Sequence, residues 1–229
     1  MKTEEATVLA WHFTGPTLRD GSPVPADGVR LTHPDQLRIH MCRSGLHASP
    51  KVLDALAYAP GLTLCRVECG GEIYFGDDKL VCRERVILWR INAEALLQKF
   101  ARKQALSAAH LWQMPSAIRA YLESGDESLR KPAEDAAERV AEFDAARYAA
   151  EDAARYAARA AERAVGLAAA ARPARYVALY AARDVARAVG LAARMRIRRC
   201  MAAAEDAANK MLAEMAEQTH DNLTGKKEV

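Results

Sequence analysis

Ala145-Ala146-Arg147-Tyr148-Ala149-Ala150-Glu151-Asp152-Ala153-Ala154-Arg155-Tyr156-Ala157-Ala158 is the centre of an alanine-rich run that extends from Ala133 to Ala216. Alanine has the best intrinsic helix propensity, and the residues between the pairs are mostly Arg, Glu, Asp and Tyr. Too little β-branched, Gly or Pro content remains to favour anything but helix. Working outward, Pro132 falls in the first turn of a long helix that runs to Arg172-Pro173. Proline breaks or kinks the helix there, and a second helix runs from about residue 174 to Gln218. The segment also repeats itself: Arg163-Ala164-Val165-Gly166-Leu167-Ala168-Ala169 recurs as Arg187-Ala188-Val189-Gly190-Leu191-Ala192-Ala193. Alanine on a contact stripe buries little area at ~25 cal/mol per Å², so such helices gain by close backbone approach around sparse larger residues such as Phe143, Tyr148, Tyr180, Val185 and Met211. At ~1.5 Å rise per residue the second helix is roughly 65 Å long, which calls for an antiparallel partner in a hairpin, a coiled coil with another chain, or both.

Ahead of this region the writing changes. The expectation is an α+β protein with three parts: a small mixed α/β head over 1–92, a helical connector over 93–131, and the alanine-rich long-helix region with a polar tail over 132–229. In the head, Thr7 to Thr14 reads as a strand closed by Gly15-Pro16, and Leu37 to Cys42 as a strand or an extended approach to the Ser44-Gly45 turn. Ser49 is a plausible N-cap for a helix over 51–58, with Pro50 at its first position. Leu62 to Glu68 alternates as a strand, Gly70-Gly71 turns, Glu72 to Phe75 returns, Asp77-Asp78-Lys79 turns again, and Leu80 to Ile91 holds the last strand. In the connector, Ala93 to Ala101 is amphipathic, Pro115 restarts a short helix and Ser124-Gly125 ends it.

Charge and cysteine content bound the function. The chain carries a formal net charge of +3, with 11 basic against 12 acidic residues up to Ala95 and 22 against 18 beyond. This excess is mild and interspersed, which fits a solvated helical surface better than a nucleic-acid or anionic-membrane partner. Five cysteines without a secretory leader argue against a disulfide framework. No stretch has the 18 or so uncharged apolar residues that a bilayer span needs. A soluble protein of the bacterial host cytoplasm is expected, with no membrane partner.

Two resemblances follow from particular residues. Cys42-Arg43-Ser44-Gly45-Leu46-His47-Ala48, Ala57-Tyr58-Ala59-Pro60, Val67-Glu68 with Gly71, and Asp78-Lys79-Leu80-Val81 resemble a domain of unknown function common in phage and prophage proteins, often followed by an alanine-rich tail. Leu111-Trp112 with Pro115, and Tyr121 to Arg130, are similar to its connector. The resemblance implies phage or prophage origin and brings no reaction. Separately, Trp11-His12-Phe13-Thr14, Gly45 to Ser49 and Ala55 to Tyr58 are similar to the first strand and following elements of polymerase-like ADP-ribosyltransferases. That likeness implies His12 on a nicotinamide ribose and His47 in the place of a stacking tyrosine. Phe13 stands where that family has glycine, and Glu84 is the nearest candidate for its glutamate.

The candidate pocket is therefore Trp11, His12, Thr14, His47, Ser49 and Tyr58. The candidate basic patch is Arg194, Arg196, Arg198 and Arg199, whose spacing spreads them around a helix and whose acidic neighbours Glu205 and Asp206 follow within two turns. Cys65-x3-Cys69 and Cys42-x4-His47 are near zinc-ligand spacing but loose, and buried cysteine is common in cores, so neither a metal nor another cofactor is expected. The expected function is that of a phage-derived accessory protein acting by self-association, or by binding a host protein, through its helices. The alternatives are ADP-ribosyl transfer or nucleotide binding by the head, and nucleic-acid binding by the basic helix.

Overall fold

The computed structural model describes residues 7–107, 109–111, 113–144 and 197–225. They fall into two compact units, Met1–Ala93 with Ala213–Val229 and Glu94–Leu212.

The first unit is built on a five-stranded, wholly antiparallel sheet. Its strands are β1 (Val8–Thr14), β2 (Arg30–Thr32), β3 (Leu46–Ala48), β4 (Thr63–Phe75) and β5 (Leu80–Asn92). The order is β1-β4-β5-β2, with β3 also paired to β5. The β4–β5 hairpin forms the spine. Its turn is closed by the Gly76 N–H donating to the Lys79 carbonyl at 2.7 Å. The Gly70-Gly71 pair is not the turn expected from sequence. The register shifts between Gly70 and Ile73, and Gly71 has φ of 67°, so the glycines form a bulge inside one long strand.

Just past β3, Ser49 and Trp11 exchange both backbone hydrogen bonds, at 2.8 and 2.9 Å. Because β3 is joined to β5, β5 to β4 and β4 to β1, this pair closes the sheet on itself. Ser49 is spent on that bridge. The short helix α1 (Val52–Ala57) starts instead from Lys51, with no side-chain cap. Leu37 to Cys42 forms no strand: it is an extended approach to a tight loop in which His40 and Ser44 bond each other. Gly45 closes that loop at φ 101°, where an added Cβ would lie 2.6 Å from Val81 Cγ2. Only glycine fits there.

The second unit has helices α2 (Glu94–Ser107), α3 (Ser116–Ser124) and α4 (Arg130–Asp144). They bury Ala101, Ala105, Ile118, Tyr121, Leu122, Ala133 and Ala136 together. Pro115 begins α3 and Gly125 ends it in the left-handed conformation, as the breakers imply. Arg130 ties Glu127 and Glu134 at 3.1 and 3.0 Å across the start of α4.

The last helix, α5 (Ile197–Thr224), corrects the expected architecture. Among the described residues there is no long helical hairpin or coiled coil, and the head is not a mixed α/β fold but a closed antiparallel sheet. The centre of the alanine-rich run, 145–196, lies outside the described residues. From Ala213 onward α5 belongs with the sheet. There it meets a cross-strand row of large side chains, Trp11, Arg66 and Trp89, which the register places directly opposite one another on β1, β4 and β5. His220 stacks on Trp89 with ring centroids 4.5 Å apart and planes within 9°. Glu217 pairs with Arg66 at 3.5 Å, and the Arg66 guanidinium lies 4.4 Å above the Trp11 ring. Such contacts offer more area and more directional attraction than an alanine-on-alanine seam.

Candidate functional site

The interior of the closed sheet is lined by Ala10, Ala48, Cys65, Val67, Cys69, Leu80, Cys82 and Ile87. Three of these are thiols. Polar groups enter this lining from β1 and β5. His12 stands directly across from Cys65, and Arg85 directly across from Cys69. Arg85 is 6% exposed. Its Nη1 donates to the His47 carbonyl on β3 at 2.6 Å.

These neighbours set one another's protonation. Burial, then the Arg85 charge, then His47 hold His12 well below the usual imidazole range of about 6.5. His47 is lowered as well, chiefly by burial. Its Nε2 accepts from the Cys42 N–H at 3.0 Å, so the neutral ring carries its proton on Nδ1. Burial pushes the Cys65 thiol up to about 11. The hydrogen bond between Cys69 and Cys82 pushes Cys69 up and lowers Cys82, whose sulfur also donates to the Leu46 carbonyl at 3.2 Å. Burial lowers the Arg85 guanidinium from its ordinary value. The interior thus combines the Arg85 cation, neutral imidazole and thiols, with no carboxylate bonded to Arg85 among the described residues, while the Arg90–Asp27 ion pair reaches Cys65 from across the strand.

Of the six residues expected in a pocket, only some gather here. His12 faces the interior, and His47 contributes its carbonyl to Arg85. Trp11 lies on the opposite face, under α5. Ser49 is buried at the closure, and Thr14 is buried with its hydroxyl donating to the Gly15 carbonyl at 3.2 Å. Tyr58 is 52% exposed and donates to Asp78 at 2.5 Å, with the Lys79 ammonium 3.9 Å above its ring. Glu84, next to Arg85 in β5, points the other way and pairs with Arg30. Arg194 and Arg196 lie outside the described residues. Arg198 and Arg199 fall in the first turn of α5, and their side chains are outside the described set too.

Arg85 itself was not singled out by sequence reading. Leu80 and Cys82 face inward, then Arg85 and Ile87, so the alternation of β5 slips by one residue between them. Among the described residues no group of three or more His, Cys, Asp or Glu could hold a metal ion, and no helix is long and apolar enough to cross a membrane. No curated protein and no solved structure matches the chain. Residues 11–99, most of the head and the start of α2, match a domain of unknown function, DUF7666.

Proposed function

We propose that this chain is a phage-derived accessory protein that works by association, with itself or with a host protein, through its alanine-rich helices. The phage assignment rests on the motif resemblance at Cys42 to Ala48 and Asp78 to Val81. The observation that carries the association reading is that α5 from Ala213 onward folds with the head. The chain therefore returns to the head after the alanine-rich run. Read from its sequence, that run carries an alanine stripe too long for the small head to cover, and a second helix is the natural partner of such a stripe.

The ADP-ribosyl-transfer reading lacks its acid. Stabilising an oxocarbenium calls for a carboxylate beside the bound sugar. Glu84 is engaged by Arg30 on the face away from His12 and Arg85. Nothing described favours the nucleic-acid reading either, since the side chains of its basic patch are outside the described residues.

Light scattering after size exclusion tests the proposal on two proteins, the full chain and a variant with 145–196 replaced by a short flexible linker. The full chain is expected to run as an oligomer and the variant as a monomer with its near-ultraviolet tryptophan signal intact. A monomeric full chain at tens of micromolar that also captures no host protein refutes it.

A further inference from the structure

Of the five arginines in the head sheet, four have a carboxylate partner among the described residues, and the fifth stands out. Arg30 pairs with Glu84, Arg66 with Glu217, Arg83 with Glu72, and Arg90 with Asp27. Each of these four is partly solvated. Arg85, the most buried of the set, has no carboxylate within ion-pair distance among the described residues. That inverts the usual order, because an unpaired buried charge costs several kcal/mol whereas a surface charge tolerates solitude.

The guanidinium is also only partly used. One Nη1 hydrogen bond reaches the His47 carbonyl. The edge formed by Nε and Nη2 has no protein acceptor among the described residues. Neither nitrogen is a sealed, unsatisfied atom, since the one such side-chain atom among the described residues is His33 Nε2. The free edge therefore still meets solvent from inside a lining of thiols and apolar side chains. Two parallel N–H groups on a planar fork match the two oxygens of a carboxylate or a phosphate.

We propose that Arg85 anchors a binding site for a small ligand bearing a carboxylate or phosphate group, taken up inside the closed sheet with the Nε–Nη2 edge as its seat and His12 beside it. The His47 carbonyl bond fixes the fork so that little side-chain freedom is lost on binding. The neutral state favoured at His12 leaves that ring able to donate one N–H to the same anion. A thiolate on Cys82 is the competing source of negative charge, and the test separates the two.

The test uses the full chain in chloride at constant ionic strength, with acetate in one arm and inorganic phosphate in the other. Thermal midpoint and the Arg Nε–H resonances are followed by calorimetry and NMR. At least one anion is expected to give saturable stabilisation and a saturable shift of the Arg85 Nε–H, and the arm that responds names the oxyanion. Arg85→Met is expected to fold with an equal or higher midpoint in chloride and to lose the response. Arg85→Lys keeps the charge without the fork and is expected to bind about tenfold or more weakly, which carries the comparison if the methionine variant does not fold. Cys82→Ser is expected to respond like the wild type. No shift of Arg85 with either anion up to about 50 mM, a response undiminished in Arg85→Lys, or one abolished in Cys82→Ser overturns the proposal.

Discussion

Acidification should loosen the head through His12, and the size of the effect follows from the structure. A histidine whose folded-state pKa lies below its unfolded value resists protonation in the fold. Its contribution is complete above the unfolded pKa, about 6.5, and is lost as pH falls below that value toward the folded one. Between pH 7.5 and 5.5 a histidine kept neutral in the fold costs roughly 1 kcal/mol. His47 is lowered in the same direction but is only partly buried, so it adds less. Glu217, on the face of α5 that meets the sheet and raised by burial there, has the opposite sign and gains as pH falls. The net loss is roughly 1–2 kcal/mol, which at a urea slope of ~1–3 kcal/mol per M lowers the unfolding midpoint by roughly 0.3–2 M. Urea titrations followed by tryptophan fluorescence at the two pH values measure it, in HEPES and MES without phosphate or carboxylate buffers. His12→Gln isolates the residue and should remove most of the difference. A midpoint that is unchanged or higher at pH 5.5, or a His12→Gln variant that falls as far as the wild type, refutes the electrostatic picture of the interior.

Gly45→Ala should destabilise the head by about 2–4 kcal/mol, read as a lower thermal midpoint, because it adds positive-φ strain to a Cβ contact 2.6 Å from Val81; a loss under about 1 kcal/mol would mean that the loop relaxes. Truncation after Leu212 removes the residues that cover Trp11, Arg66 and Trp89, so tryptophan emission should shift to the red and the head should melt earlier; an unchanged spectrum and midpoint would show the helix to be dispensable. Trp89→Ala in the full chain should cost about 2–3 kcal/mol, less than a fully buried tryptophan, because the ring is only partly buried beneath His220.

Much of the head was legible residue by residue. β1 and the two arms of the hairpin announce themselves by β-branched and aromatic alternation, and Pro115 and Gly125 bracket α3 as breakers should. Where reading stopped, local rules were overruled by pairing. Gly70-Gly71 satisfies a turn and a bulge equally well, and only the continuing register with β5 decides. Ser49 has the chemistry of a cap, yet Trp11 claims its backbone for the closure. Alternation counted from Leu80 and Cys82 would place Arg85 outward, and the slip in β5 turns it inward. The row across Trp11, Arg66 and Trp89 is hidden in the same way, since three residues far apart in sequence become neighbours only through two registers. Alanine content fixed α5 as a helix but carried no information about what it rests on. That was decided by Glu217 and His220, two residues in a polar tail.

The seating of His220 on Trp89 also has a consequence in time. The two residues are separated by roughly 130 positions, so at a ribosomal rate of ~5–20 residues per second the covering helix emerges roughly 7–26 s after the ring it covers. During that interval the nascent sheet can close through Ser49 and Trp11, all of whose partners have been made, while one of its faces remains bare. A chaperone that reads exposed tryptophan would have that window and no later one. Any event that ends translation inside the alanine-rich run would leave the window open permanently.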